Sequence, residues 1–63
     1  MFGTLFNYPV DVNGVPVRTV EGLRRIARSS DEYLMVCCST ADDYSAAFDA
    51  LVSIRRRITF WVD

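Results

Sequence analysis

The 63-residue chain contains no histidine. That absence removes the commonest general base near neutral pH, the usual Ser-His and Cys-His pairs, and the commonest metal ligand. Lysine is missing as well, so Schiff-base chemistry has no amine to use. Glycine occurs three times, and neither Gly-x-Gly-x-x-Gly nor Gly-x-x-x-x-Gly-Lys-Ser/Thr is present, so nucleotide cradling has no support. A zinc site needs about four Cys and His ligands at suitable spacing, which adjacent Cys37 and Cys38 without a second pair do not supply. Neighbours on a strand point to opposite faces, so a disulfide between these two would be strained and no oxidising compartment is implied. No apolar run reaches the roughly 18 to 20 residues that span a bilayer, and "MFGTLFNYP" lacks the basic start and long apolar centre of a secretion signal. These gaps lead to the expectation of a cytoplasmic, non-enzymatic protein with no cofactor, no metal and no membrane contact.

What is present is apolar material: 51% of the residues are hydrophobic and 13% aromatic, more than a disordered chain carries. A single α+β domain over residues 1–63 is expected. A chain this short buries only about 60% of the surface that its unfolded form exposes, so apolar surface is left over for a homodimer or a partner interface. The net charge of -1 argues against nucleic-acid binding by overall charge. All seven basic residues are arginine, and most fall into two clusters, 24–28 and 55–57.

The pattern along the chain predicts a small mixed sheet of four to five strands, with an N-terminal hairpin region and two helices, in the order β-β-β-α-β-α-β. Phe2, Thr4, Phe6 and Tyr8 alternate with Gly3, Leu5 and Asn7 as a first strand, ended or bent at Pro9. Asn13-Gly14 then marks a type I′ hairpin, since both central residues of that turn want positive φ. Counting outward pairs Val12 with Val15, Asp11 with Pro16 and Val10 with Val17, which puts four valines on the core side. The missing N–H of Pro16 points away from the partner strand, so Val15–Val17 reads as an edge. Thr19 caps a first helix through Val20, Leu23, Ile26 and Ala27, with Glu21 in the positive first turn and Gly22 either packed closely or tolerated. "EYLMVCC" offers apolar groups to both faces and reads as a central strand covered on both sides. Ser39 or Thr40 caps a second helix, striped by Tyr44, Ala47, Phe48, Leu51 and Ile54. Asp42 and Asp43 in its first turn are assigned to the dipole and capping rather than to Mg²⁺. Ile58, Phe60 and Val62 alternate in a closing strand.

Three consecutive arginines beside two aromatics, "RRRITFW", raise the question of nucleic acid. Arg55, Arg56 and Arg57 are expected in the last turn of the second helix, where cations meet unpaired carbonyls and the negative dipole end. They spread over roughly 200° of the helix circumference and so do not address one phosphate track. Arg24, Arg25 and Arg28 differ: they are like charges three and four residues apart on one helix face, an arrangement that a merely solvated face would break up by alternating sign. Cys38, one residue before the second helix cap, could be a mildly reactive thiol, although strand burial is the commoner fate of free cysteine.

The run from Val12 to Leu23, with Ile26 and the strand from Tyr33, resembles the later half of a PDZ domain over about 30 residues. That family's glycine-rich carboxylate loop lies on strands well upstream, and the eleven residues before Val12 contain no such loop. The resemblance implies shared hairpin-helix chemistry and not peptide binding.

The expected function is a small non-enzymatic interaction module that binds and blocks a larger protein, in the manner of regulators or inhibitors encoded by phages and mobile elements. Met1 is read as an initiator and the chain as complete. The expected contact residues are Arg24, Arg25 and Arg28 with the aromatics Trp61 and Tyr44, since arginine and aromatics are enriched at binding hot spots. The alternative is a nucleic-acid-binding protein using Arg24, Arg28, Arg55, Arg56 and Arg57, with the steep salt dependence that phosphate contacts bring.

Overall fold

The computed structural model describes residues 3–31, 33–54 and 57–63. Four strands and two helices follow one another as β1 (Leu5–Val12), β2 (Val15–Thr19), α1 (Val20–Ser29), β3 (Leu34–Cys38), α2 (Ala41–Leu51) and β4 (Ile58–Val62). The sheet order is β2-β1-β3-β4, with β1 antiparallel to both its neighbours and β3 parallel to β4. The architecture is the expected mixed α+β sheet with two helices, built on four strands rather than five.

The hairpin forms in the expected register, Val12 opposite Val15 and Val10 opposite Val17. Its turn places Asn13 at φ 50° and Gly14 at φ 88°, the left-handed pair of a type I′ turn, and the Asp11 carboxylate accepts from the Gly14 N–H. Val10, Val12 and Val17 are buried; Val15, at the tip, is on the core side but 52% exposed. Asn13 does more than turn the chain. Its backbone N–H donates to the Met35 carbonyl, its Oδ1 accepts from the Met35 N–H, and its Nδ2 donates to the Tyr33 carbonyl. The turn residue thus continues the β1–β3 ladder one step beyond the strand.

Of the two outcomes expected at Pro9, an end or a bend, the structure shows the bend, inside one eight-residue strand. The register between β1 and β2 shifts between Leu5 and Val10, and the donors displaced from the ladder find a distant acceptor. Asp43 accepts from the Asn7 N–H at 2.8 Å and from the Tyr8 N–H at 3.0 Å, with its side chain only 2% exposed. A carboxylate that takes two backbone N–H groups satisfies a bulge that would otherwise leave them unpaired. The first residues of the expected opening strand, Met1 and Phe2, lie outside the described residues.

Thr19 caps α1, accepting from the Gly22 N–H, and Thr40 caps α2, accepting from the Asp43 N–H. A Cβ on Gly22 would stand 3.1 Å from Thr19 Oγ1 and 3.3 Å from Val17 Cγ1, so the small residue permits close seating of α1 on β2. Both helices lie on one face of the sheet, α1 over β2 and α2 over β1, β3 and β4. Leu23, Ala27, Ala47, Ala50 and Leu51 from the helices meet Phe6, Val10, Val12, Leu34, Val36 and Cys38 from the sheet in one core. The expectation that β3 is covered on both faces is therefore corrected. Leu34, Val36 and Cys38 are buried, whereas Tyr33 and Met35 stay exposed, because both crossovers pass over the same side.

The end of α2 also differs from expectation. The helix stops at Leu51, with Val52 as its C-cap and no basic residue in its last turn. Arg57 lies in the connection just before β4, where its carbonyl accepts from the Leu34 N–H; Arg55 and Arg56 lie outside the described residues. The cation at the C-terminal end of α2 comes instead from α1: Arg24 Nε donates to the Ala50 carbonyl at 3.3 Å. Ile54, assigned to the helix stripe, sits beyond the helix and donates its N–H to the Leu51 carbonyl.

Candidate functional site

The uncovered sheet face is laid out in cross-strand rows. Pro16, Asp11, Cys37 and Trp61 are successive partners across β2, β1, β3 and β4, and Met35 pairs with Thr59 one row away. These positions alternate with Val12, Val36 and Phe60, whose side chains face the helices, so they point the other way. Trp61 is 53% exposed, Tyr33 50% and Met35 46%. The hydroxyls of Tyr33 and Thr59 share a hydrogen bond, which holds the Tyr33 ring over β4. The result is an exposed aromatic and thioether surface beside the exposed carboxylates of Asp11 and Asp63.

The arginine face of α1 is on the other side of the sheet. Glu21, Arg24, Arg25, Arg28 and Ser29 line an open cleft of about 450 Å³. Arg24 is half-buried and engaged with Ala50, whereas Arg25 and Arg28 are exposed. Tyr44 belongs to neither place. It is half-buried on α2, with its ring 5.5 Å from Phe60 in an edge-to-face contact and 6.2 Å from Phe48. The structure therefore brings Arg24, Arg25 and Arg28 together, sets Trp61 on the opposite face, and uses Tyr44 as packing against β4. Of the second arginine cluster, Arg57 is described and exposed, in the connection just before β4 rather than on α2.

The thiols are disfavoured as nucleophiles. Burial, with Asp43 and Cys37 adding to it, pushes Cys38 up to about 11, and the side chain has no exposed surface. Desolvation and the carboxylates of Asp63 and Asp11 raise Cys37 above its ordinary value. A thiolate needs the opposite surroundings, a cation or an open helix N-terminus. Among the described residues, no three His, Cys, Asp or Glu side chains come together as a metal site, and no helix is long and apolar enough to cross a membrane.

The sequence pointed to Trp61 but not to its companions. Met35 and Tyr33 read as core because nothing local shows that both helices choose the same face. In the sequence Asp43 reads as a first-turn helix residue, and nothing local shows its acceptor role, which links residues 36 positions apart. Set against known proteins, the chain matches no family model, no curated protein and no solved structure.

Proposed function

We propose that the chain is a small non-enzymatic interaction module that docks its uncovered sheet face onto a larger protein and so blocks it, as phage- or mobile-element-type regulators do. The observation that supports this reading is the cluster of Trp61, Tyr33 and Met35 held exposed in adjacent rows of the sheet. Aromatic side chains on a rigid surface lose little entropy on binding and dominate interface energies. A flexible thioether beside them adapts to a partner's contours. Large contiguous apolar patches on a protein surface mark interaction sites. Binding through this face leaves the helix layer on the far side of the sheet uncovered by the partner.

The experiment is affinity capture from a lysate of the natural host, comparing wild type, Trp61→Ala with Met35→Ser, and Arg24→Glu with Arg28→Glu. The expected result is a protein held by the wild type and the arginine variant and lost from the open-face variant, with all three chains folded by circular dichroism. Capture unchanged by the open-face substitutions overturns the reading. The second reading, nucleic acid bound along the α1 cleft, has in its favour the three arginines lining one concavity. It requires a mobility shift with generic DNA or RNA that weakens steeply with salt and is abolished by the arginine reversal.

A further inference from the structure

The sheet ends in two edges of opposite character. On β2, Val15 and Val17 turn their backbone groups to β1, so Pro16 and Arg18 face outward; Pro16 has no N–H to offer and Arg18 carries charge, both of which blunt an edge. The other edge, β4, reads Ile58-Thr59-Phe60-Trp61-Val62, with no charge and no proline. Leu34 N–H bonds to the Arg57 carbonyl and Asp63 N–H to the Cys38 carbonyl, so the odd-numbered residues of this stretch turn their backbone to β3. In a parallel ladder the alternate residues must then turn theirs away. Ile58, Phe60 and Val62 therefore hold one N–H and one C=O each, six groups, toward the sheet's outer edge, where no strand lies among the described residues.

We propose that this edge pairs with the same edge of a second copy, antiparallel across a twofold axis at Phe60, to give one continuous eight-stranded sheet. Phe60 then faces Phe60 of the partner subunit, and Ile58 faces Val62 of the partner subunit. Every outward N–H meets an outward C=O, so all six groups on each copy are satisfied. Centring the register on Phe60 pairs the three outward-facing residues of one copy with the same three of the other. The same register sets Arg57 opposite Asp63 of the partner subunit at both ends of the seam, a charge complementarity the chain supplies to itself. On the helix side, a cleft of about 250 Å³ between α2 and β4 is lined by Phe48, Leu51, Val52, Ile54, Ile58 and Phe60. Phe48 is 45% exposed and Val52 69%, apolar surface that the second copy covers. The inference rests on the backbone edge and does not depend on the open-face reading, since Trp61→Ala leaves that edge intact.

Sedimentation equilibrium from micromolar to millimolar concentration tests it, with wild type, Val62→Pro, Arg57→Asp and Arg57→Asp with Asp63→Arg. Val62→Pro removes an outward donor without touching a β3 bond. The wild type is expected at twice the 7.2 kDa chain mass. Val62→Pro weakens association by about tenfold or more, since two hydrogen bonds are lost per dimer. Arg57→Asp weakens it and the double charge swap restores it, a rescue that general misfolding does not produce and that decides the matter should Val62→Pro fail to fold. A wild type monomeric throughout the range, or a dimer indifferent to the charge swap and to a folded Val62→Pro, overturns the proposal.

Discussion

Replacing Asp43 with alanine removes the acceptor of the Asn7 and Tyr8 N–H groups, held at 2.8 and 3.0 Å by a carboxylate that is 2% exposed. Hydrogen bonds to a charged group contribute about 1.5 to 3 kcal/mol each. Both donors are only part-buried, so water recovers some of the loss and the lower figure applies, about 3 kcal/mol for the pair. A domain of this length has a total stability of roughly 3 to 9 kcal/mol, so the loss is a third of it or more. Asp43→Asn separates the two bonds: one oxygen still accepts, while the new amide turns a donor on a donor, and the expected loss is about half as large. The Thr40 cap provides an internal control, because it receives the Asp43 backbone N–H, which neither substitution alters. Urea unfolding followed by far-ultraviolet circular dichroism reads both variants, with the midpoint shifted and the slope unchanged. An alanine variant within about 0.5 kcal/mol of wild type, or an asparagine variant no better than alanine, would falsify the assignment of Asp43 as the group that holds the β1 bend.

Two further outcomes follow from features described above. The Cys38 thiol titrates at about 11 in the folded chain against an ordinary 9.0, so above pH 9 the unfolded state loses its proton first and stability falls as pH rises toward 11. Denaturation midpoints measured across that range are expected to drop more steeply for wild type than for Cys38→Ala, and equal slopes would contradict the burial argument. Asn13→Gly keeps the left-handed turn but deletes the two side-chain bonds to Tyr33 and Met35, and should lower stability by about 1 to 2 kcal/mol in the same urea assay. A neutral result would mean that the backbone alone fixes the hairpin on the sheet.

The parts of the fold that could be read from sequence are those decided within a few residues. Asn13-Gly14 set the hairpin and its register, Thr19 and Thr40 opened the helices, and the alternation in 58–62 marked the last strand, because turn chemistry and capping act locally. The parts that could not be read depend on partners far along the chain. Pro9 reads as either the end of a strand or a bend in it, and Asp43, arriving from α2 to receive the displaced donors, decides for the bend. Arg57 reads as the end of a helix, yet α2 stops at Leu51 and takes its cation from Arg24 across the helix pair. The site follows the same division. Trp61 was recognisable as an exposed aromatic, whereas its grouping with Met35 and Tyr33, and its separation from Arg24, Arg25 and Arg28, follow from both helices packing on one side of the sheet.

The hairpin tip carries a practical consequence for anyone altering this chain. A short exposed turn is ordinarily where a tag, a reporter peptide or new termini are accepted with least damage. Here the residue at that tip is bonded three ways to Tyr33 and Met35, at the start of an inner strand. Splicing anything between Val12 and Val15 would loosen the sheet at its centre, so the outermost loop is the wrong place to cut.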